Sequence, residues 1–423
     1  MSIEPSLTAY GLLGKMLGYS YSPLIHKTLG NDEYSLYERN PEELADFFSN
    51  PALKGLNITI PYKVDALKAC TTVSSEAKRI GCVNTMVRRE DGWYGHNTDY
   101  DGFLFMLKVS GIQIPGKKVI ILGDGATAHT IHIALEDLEA KEILHLSRNT
   151  APFYSDAPTI GKDADIVINV TPVGMAPHCP DSLIDLKDFP NLEAAIDVVY
   201  NPYRTALLIE AEKRGVRYAD GLAMLVGQAV AAAKLFLNKE FTTEEALNIV
   251  KTIRKSQENI VLIGMPGVGK TTVGSTLSQL LNRPIIDCDA IFEERYGHPS
   301  TYIATYGEAD FREKETAILH DISKETGAII ATGGGVITRS ENYALLRQNS
   351  RIYWLRRPLE KLDTSGRVLS NGGLQRLQEL YTVREPLYTA FAQVIIDYTT
   401  PDNGAQQIAN EFHAHYDKPA MIE

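Results

Sequence analysis

The sequence is poor in the features that mark secreted, membrane-spanning and zinc-binding proteins. It has four cysteines in 423 residues, with no Cys-x-x-Cys pair and no histidines at zinc-site spacing, which excludes a disulfide scaffold and a zinc finger. No apolar run approaches the roughly 20 residues that a membrane-spanning helix needs. The amino terminus lacks a basic start followed by an apolar stretch, so no signal peptide is predicted.

Positive charge is also scarce. The chain has 42 Lys and Arg against 53 Asp and Glu, a formal net charge of −11, which disfavours nucleic acid and acidic membranes as partners. The length predicts two or three domains, and an apolar content of 44% is ample for packed cores. We therefore expect a cytoplasmic protein with reduced thiols that acts on small molecules. The sequence leaves a homodimer open.

A glycine loop of the dinucleotide-binding type lies in the first half of the chain. Gly123-Asp-Gly-Ala-Thr-Ala128 follows the apolar run Lys118–Leu122 and fits G-x-G-x-x-A, in which bare glycines let the backbone approach a pyrophosphate at a helix N-terminus. Gly123, Gly125 and Ala126 are the candidate cofactor contacts. Helical stretches and apolar strands alternate from here to about residue 221, which predicts an α/β fold with a parallel, doubly wound sheet.

The strand after this loop indicates which dinucleotide is used. NAD-binding sheets usually carry an acid at this strand end, where it binds the ribose 2′-hydroxyl. Here the strand ends in Leu146-Ser147-Arg148 with no acid, and a guanidinium suits a 2′-phosphate, so NADP is favoured. If Arg148 is only a solvent-exposed charge, NAD stays open.

A second phosphate-binding loop, of the nucleoside-triphosphate type, lies in the second half. The stretch 264–271 follows the apolar run 259–263 and matches G-x-x-x-x-G-K-[ST] in full, with a helix predicted from Thr271 to about Leu281. Its lysine is expected to meet the β- and γ-phosphates of ATP, and the hydroxyl of Thr271 is expected to bind Mg²⁺. The candidate nucleotide contacts are Gly264, Gly267, Gly269, Lys270, Thr271 and Thr272.

The polar stretch Lys255-Ser-Gln-Glu258 separates the two halves and is the predicted boundary. The family resemblances given below imply a substrate-binding lobe over residues 1–103, completed by about 222–254, and a Rossmann lobe over 104–221. They also imply a P-loop kinase domain over 259–423.

Several loops of the first half combine turn residues with hydroxyl, amide and charged side chains. They are Gly18–His26, Gly55–Lys63, Gly81–Thr85 and Gly95–Asp99, followed later by Asn169–Met175, Asp197–Pro202 and Gly221–Gln228. In this order they resemble shikimate dehydrogenase over about residues 8–250. The resemblance implies that the substrate is held by Ser20, Ser22, Asn57, Thr59, Lys63, Asn84, Asp99, Tyr200 and Gln228. It further implies cofactor contacts at Ser147, Thr171 and Gly221.

The same resemblance makes Lys63 and Asp99 the catalytic pair, and the chemistry agrees. Reduction of a ketone needs a proton donor beside the forming alkoxide while hydride arrives from NADPH. A lysine ammonium can donate that proton, and a neighbouring carboxylate orients it.

The second half resembles shikimate kinase over about residues 259–400. The motifs are Ile286-Asp-Cys-Asp289, Phe311-Arg-Glu-Lys-Glu315, Ala331-Thr-Gly-Gly-Gly335 and Arg384-Glu-Pro-Leu-Tyr388. We expect Asp287 and Asp289 to lie on one side of an extended chain.

The resemblance assigns roles to these residues. Asp289 would be nearest the acceptor hydroxyl and catalytic together with Lys270, and Asp287 would belong to the Mg²⁺ shell with Thr271. The substrate carboxylate would be held by Arg312 and Arg384. Gly334 and Gly335 would let the substrate ring approach the backbone. Arg367 would reach the transferring phosphate.

Together the two resemblances imply a bifunctional enzyme of aromatic amino-acid precursor synthesis. It would reduce 3-dehydroshikimate with NADPH and phosphorylate shikimate with ATP and Mg²⁺. Two alternatives stay open: a metabolite-binding regulatory protein built from the same modules, and a first half that is a quinate/shikimate dehydrogenase using NAD.

Overall fold

Three separate β-sheets, each flanked by helices, make up the computed structural model, which describes residues 8–18, 20–177, 179–363 and 373–417. The predicted α/β class with parallel sheets is confirmed. No helix within the described ranges is long and apolar enough to cross a bilayer.

The first sheet is mixed, with strand order β2-β1-β3-β5-β6-β4. Its strands are β1 (Tyr10–Gly14), β2 (Tyr34–Glu38), β3 (Gly55–Ile58), β4 (Thr72–Val73), β5 (Thr85–Arg89) and β6 (Gly92–His96), with helices α1 (Ser22–Thr28), α2 (Leu44–Ser49), α3 (Lys63–Ala69) and α4 (Ser75–Ile80). Strand β1 runs parallel to β2 and β3, whereas β5 runs antiparallel to β3 and β6. Leu56, Phe48 and Trp93 belong to the core on this sheet.

The second sheet is entirely parallel, with strand order β11-β10-β9-β7-β8. After helix α5 (Thr98–Ser110) the chain forms β7 (Lys118–Leu122), α6 (Ala126–Asp137), β8 (Glu142–Leu146), α7 (Ala157–Ile160), β9 (Ile166–Asn169), β10 (Ala194–Asp197), α8 (Ala206–Lys213) and β11 (Arg217–Ala219). The strand order reverses at β7, between β8 and β9. Ligands of such sheets bind at the carboxyl ends of the strands beside this reversal, which is where the loop at Gly123 lies.

Helix α9 (Gly221–Leu237) packs closely against α5 because glycines face the contact. A Cβ at Gly102 would lie 2.5 Å from the carbonyl oxygen of Met224, and one at Gly227 would lie 2.8 Å from the Cβ of Phe105. The close crossing brings the first turn of α5 and the middle of α9 to the same cavity.

Helix α10 (Thr243–Gln257) begins at a threonine cap, with a capping box between Thr242 and Glu245. The polar stretch 255–257 forms its last turn. Glu258 alone separates α10 from the next strand, and it is buried.

The third sheet is also parallel, with strand order β13-β14-β12-β15-β16. It is formed by β12 (Asn259–Ile263), α11 (Lys270–Leu281), β13 (Ile285–Asp287), α12 (Cys288–Tyr296), α13 (Pro299–Tyr306), α14 (Glu308–Ile322), β14 (Ile329–Ala331), α15 (Asn342–Arg347), β15 (Ser350–Arg356), α16 (Gly373–Phe391), β16 (Val394–Asp397) and α17 (Pro401–Asp417). Strand β12 is buried throughout and lies at the reversal of strand order, so the loop at Gly264 leaves the sheet at a ligand-binding position.

Candidate active sites

A polar cavity of about 290 Å³ lies between the first sheet and helices α1, α5 and α9. Its volume suits a small ligand. The cavity is lined by every substrate residue predicted for the first half: Ser20, Ser22, Asn57, Thr59, Lys63, Asn84, Asp99, Tyr200 and Gln228. These residues span more than 200 positions of sequence and come from the sheet, α1, α3, α5, α9 and the loop after β10.

Lys63 and Asp99 form an ion pair within this cavity. Their Nζ and Oδ2 atoms are 2.5 Å apart, and the side chains are 14% and 8% exposed. Lys63 begins α3, and Asp99 lies in the first turn of α5, where Asn97 caps its backbone N–H. Burial alone would lower the pKa of Lys63, but the charge and hydrogen bond of Asp99 outweigh burial and raise it. Lys63 is therefore an ammonium at neutral pH.

Amide side chains in the cavity are oriented by buried hydrogen bonds. The Oδ1 of Asn84 accepts the Thr98 N–H at 2.6 Å, and its Nδ2 donates to the Oε1 of Gln228 at 3.4 Å. The Oδ1 of Asn57 accepts from the Tyr34 hydroxyl at 2.8 Å. Because these amides are already fixed, they can bind substrate hydroxyls without a further loss of side-chain entropy.

His26 also lines the cavity, although its role was not predicted. Its ring stacks on Tyr34 with the centroids 4.0 Å apart. Neither ring nitrogen has a hydrogen-bond partner among the described residues. Burial lowers the pKa of His26 to about 3, against a small opposing effect of Asn57, so the imidazole is neutral.

The loop after β7 has the geometry of a phosphate site. Gly123 has φ of +131°, and Gly125 is the N-cap of α6. A Cβ at Gly125 would meet nothing within 4 Å, so the helix N-terminus is open to a ligand. Because free N–H groups and the helix dipole favour anions, a pyrophosphate fits here.

The other predicted cofactor residues lie after β8, after β9 and at the start of α9. Arg148 is exposed, as a contact for a 2′-phosphate needs to be. Ser147 is buried, and its Oγ accepts the N–H groups of residues 149 and 150, so it holds the turn that presents Arg148. Thr171 donates to Asn169 at the end of β9. Gly221 is required by packing, since a Cβ there would lie 2.0 Å from the carbonyl oxygen of Val198.

The loop at Gly264 forms a phosphate cradle. Gly264, Gly267 and Gly269 all have positive φ, between 79° and 149°. Lys270 is buried, and its Nζ donates to the carbonyl oxygens of Gly264 (2.9 Å) and Met265 (3.3 Å). The ammonium is thus held inside the curve of the loop. Thr272 lies in the exposed first turn of α11.

The two aspartates of the second half are arranged differently from the prediction. An extended chain was expected, which was wrong: β13 ends at Asp287, and α12 begins at the next residue. The Oδ1 of Asp287 caps this helix by accepting the N–H groups of Asp289 (2.9 Å) and Ala290 (3.2 Å). The Oδ2 of Asp287 accepts from the Thr271 hydroxyl at 2.6 Å, which pairs the two predicted Mg²⁺ residues.

Arg312 lies in a buried cluster of charges with a residue that was not predicted, Glu315. Its Nη1 is 2.8 Å from the Oε2 of Glu315, and among the described residues its buried Nε has no hydrogen-bond partner. Burial would lower the pKa of Arg312, but Glu315 raises it, so the guanidinium stays charged. A Cβ at Gly335 would lie 2.2 Å from the Nη2 of Arg312, so this glycine makes room for the arginine.

Helix α16 holds the glycine turn after β14 in place. Arg384 (3.2 Å) and the Tyr388 hydroxyl (2.5 Å) both donate to the carbonyl oxygen of Gly334. A Cβ at Gly334 would lie 2.7 Å from Pro266 of the phosphate loop. Packing therefore explains why glycine occupies positions 334 and 335. The approach of a substrate ring to these two residues stays a prediction. Arg367 lies outside the described residues.

Two family models match the chain: the shikimate dehydrogenase substrate binding domain over residues 12–86 and shikimate kinase over residues 266–416. Shikimate dehydrogenase (NADP(+)) of Clostridium perfringens is 34% identical over 271 residues, covering 59% of this chain and 96% of that enzyme. The chain belongs to the shikimate dehydrogenase family. Its second part carries a shikimate kinase domain, so it is a bifunctional enzyme of the shikimate pathway.

Further relatives support the dehydrogenase assignment. Shikimate dehydrogenase (NADP(+)) of Clostridium beijerinckii is 36% identical over 247 residues, covering 54% of this chain and 91% of that enzyme. A chorismate mutase/shikimate 5-dehydrogenase fusion protein from Clostridium acetobutylicum has a similar structure (TM-score 0.56, 32% identity, 59% of this chain and 98% of that chain). The shikimate 5-dehydrogenase of Thermus thermophilus, solved with NADP(H) and shikimate, has a TM-score of 0.51 at 30% identity, over 57% of this chain and 98% of that one.

We refer below to residues 8–257 as the dehydrogenase half and to residues 259–417 as the kinase half. The structure brings the predicted dehydrogenase substrate residues into one cavity, whereas the predicted kinase residues that it describes lie in the segments after β12, β13 and β14 and on helices α14 and α16. His26 and Glu315 were not singled out from the sequence. Glu315 follows Arg312 by three positions, which places both on one face of a helix and could have indicated the pair.

Proposed function

We propose that the dehydrogenase half reduces 3-dehydroshikimate to shikimate with NADPH, and that the kinase half phosphorylates the shikimate 3-hydroxyl with ATP and Mg²⁺. The observation that carries the first assignment is the ion pair of Lys63 and Asp99 inside a cavity lined with hydroxyl and amide groups. The second assignment rests on the phosphate cradle around Lys270 and on the buried guanidinium of Arg312. Shikimate is the product of the first reaction and the substrate of the second, which gives a chemical reason for the fusion of the two halves.

In the reduction, NADPH supplies the hydride when bound. Lys63 donates a proton from Nζ to the forming alkoxide, and Asp99 orients that ammonium and stabilises its charge. Asn57, Asn84 and Gln228 bind the ring substituents with side chains already fixed by hydrogen bonds. We propose that Gly123, Gly125, Ala126, Ser147, Arg148, Thr171 and Gly221 form the cofactor site.

In the phosphoryl transfer, Lys270 and the loop N–H groups hold the phosphates of ATP. Thr271 and Asp287 would hold Mg²⁺ through two adjacent oxygens, the donor type that this ion prefers. Asp289 orients the attacking hydroxyl. The Nε of Arg312, which has no hydrogen-bond partner in the described part of the chain, suits the substrate carboxylate together with Arg384. Arg367 is proposed to contact the transferring phosphate. The site is completed by the proposed contacts of Gly264, Gly267, Gly269, Thr272, Gly334 and Gly335.

We infer three lobes, over 1–103 with about 222–254, over 104–221, and over 259–423. This division is supported by the three sheets and by the packing of α1 residue Ile25 against Leu222 of α9 and Ile249 of α10. We also propose a cytoplasmic location, since Cys70, Cys82, Cys179 and Cys288 are all free. The net charge of −11 disfavours nucleic acid. A homodimer is tested by light scattering on the purified chain.

Two assays on the full chain test the proposal. NADPH oxidation at 340 nm is followed with 3-dehydroshikimate, and NADH and quinate are tried in parallel. ADP release is followed with shikimate, ATP and Mg²⁺. Binding of these ligands without turnover would favour a regulatory protein, and turnover with NADH equal to that with NADPH would contradict the assignment of NADP.

A further inference from the structure

A segment of the dehydrogenase half that enters its substrate cavity is bonded directly to the kinase half. This segment, residues 198–204, follows β10 and carries Tyr200 into the cavity. The backbone N–H of Tyr203 donates to the Oδ1 of Asn349 at 3.1 Å, and that of Arg204 donates to the carbonyl oxygen of Gln348 at 3.0 Å. Both acceptors lie in the buried turn between α15 and β15 of the kinase half.

Asn349 is itself fixed by the kinase sheet. Its carbonyl oxygen accepts the N–H of Asn259 at 2.8 Å, and Asn259 is the first residue of β12, the strand that leads into the phosphate loop. The side chain of Asn259 in turn bonds the carbonyl oxygen of Glu325 and the N–H of Ala328. The side chain of Asn349 is therefore presented to the dehydrogenase half from a rigid position.

Charged groups around this contact fix the register of the two halves. Arg347 binds Glu212 with both Nε (3.0 Å) and Nη2 (2.5 Å), and Arg347 is buried. Arg204 lies 3.6 Å from Glu212 and 3.7 Å from Glu258. The Tyr416 hydroxyl donates to Glu258 at 2.6 Å. Because an unpaired buried charge is costly, these groups resist any shift of one half along the other.

Within the dehydrogenase half, segment 198–204 is held at other positions. The N–H of Val198 donates to the carbonyl oxygen of Asn169, the N–H of Gly221 donates to that of Val199, and the N–H of Ala176 donates to that of Asn201, all at 3.0 Å. The side chain of Tyr203 is also held, since its hydroxyl donates to the carbonyl oxygen of Arg254 at 2.9 Å. Beyond Tyr200, the N–H groups of Tyr203 and Arg204 depend on the kinase half. We infer that Asn349, a kinase-half residue, is a positioning residue for the dehydrogenase reaction because it fixes the segment that places Tyr200 in the cavity. This inference rests on the proposed function.

Replacement of Asn349 by alanine in the full chain tests the inference. N349A leaves the Tyr203 N–H buried without an acceptor, so the KM for 3-dehydroshikimate is expected to rise about tenfold. The dehydrogenase kcat and the KM for NADPH should change less than about twofold, since Lys63, Asp99 and the glycine loop are untouched.

Asn342→Ala is the matched control. Asn342 is a buried asparagine at the start of α15, the helix that leads into this turn, but its Nδ2 donates to the carbonyl oxygen of Val336 within the kinase half. It should leave the dehydrogenase KM unchanged. An equal rise of the KM in N342A and N349A, or no rise in N349A, would overturn the inference.

Amide hydrogen exchange separates this test from the proposed function. Exchange of the peptide covering 198–204 should be faster in N349A than in the wild type and N342A, whichever substrate the chain reduces. Unchanged exchange in N349A would overturn the inference even with an active enzyme. A wild-type chain that does not oxidise NADPH with 3-dehydroshikimate would contradict the proposed function alone.

Discussion

Replacing Lys63 by methionine removes the proposed proton donor and keeps a side chain of similar length. The ammonium lies 2.5 Å from Asp99, and both side chains are largely buried. The variant therefore loses the donor and leaves a carboxylate in the cavity without its counter-charge. The reaction should slow because the alkoxide must be protonated by water instead of by a positioned acid.

The expected loss in the dehydrogenase kcat is about 10²- to 10⁴-fold, the range of general acid catalysis. At 1.36 kcal/mol per factor of ten, this equals about 2.7–5.4 kcal/mol of activation free energy. The assay is NADPH oxidation at 340 nm with saturating 3-dehydroshikimate. Kinase turnover, measured in the same preparation, should not change.

The pH dependence gives a second test of the same residue. The charge and hydrogen bond of Asp99 outweigh the effect of burial, so the pKa of Lys63 is raised. The protonated form of Lys63, which is the proton donor, therefore predominates at every pH below that raised value. Reduction by the wild type should therefore not decline through loss of this proton between pH 7 and about pH 9, and should decline only as pH rises through the pKa of Lys63. The stabilising contribution of the protonated lysine is likewise present below its ordinary pKa and lost as pH rises through the raised one.

Lys68→Met is the control for the Lys63 variant, since Lys68 lies on the same helix, is 72% exposed and contacts only Asp65 at 3.6 Å among the ion pairs of the described residues. It should leave kcat unchanged. Retention of more than about a tenth of the wild-type kcat by the Lys63 variant, with normal folding by circular dichroism, would refute the role of this residue as the acid.

Three further predictions concern the cofactor, the kinase half and the stability of the fold. Arg148→Ala should weaken NADPH binding by about 1.5–3 kcal/mol and leave NADH nearly unchanged, as measured by fluorescence titration; equal losses would contradict recognition of the 2′-phosphate. Asp289→Asn should lower kinase turnover about 10²-fold or more while calorimetry shows nearly normal ATP binding, because the carboxylate orients the hydroxyl; loss of ATP binding would contradict this role. Burial raises the pKa of Asp197 to about 7, against hydrogen bonds from Thr205, the N–H of Val199 and Asn169. The folded state thus holds a proton that the unfolded state releases, so the stability due to Asp197 should fall as pH rises from about 4 to 7, by up to about 1.4 kcal/mol per pH unit. Urea unfolding of the wild type should show this slope and that of Asp197→Asn should not; parallel slopes would contradict the shift.

The parts of the fold with strict backbone demands could be predicted from the sequence. The loops at Gly123 and Gly264 need positive φ and close backbone approach, so their patterns of glycines are distinctive. The strands β7 and β12 are uninterrupted apolar runs, which are typical of buried parallel strands. Helix α10 has a threonine cap and an acidic first turn, both of which can be recognised in the sequence.

Other features depend on contacts between residues distant in sequence and could not be predicted locally. Asp287 ends its strand because its carboxylate caps α12, which a two-residue spacing does not reveal. Gly335 is needed because the guanidinium of Arg312, on helix α14, occupies the space that a Cβ at position 335 would fill. Nothing in the local sequence distinguishes Asn349 and Arg347 from other polar residues, yet both form hydrogen bonds to the dehydrogenase half.

The central claim is that one chain makes shikimate and then consumes it. The direct measurement is ADP formation by the purified chain supplied with 3-dehydroshikimate, ATP and Mg²⁺, with and without NADPH. The account predicts that ADP forms only when NADPH is present, after oxidation of NADPH has begun, and that added shikimate restores ADP formation in its absence. ADP formation that is independent of NADPH, or NADPH oxidation that is never followed by ADP, would contradict the account.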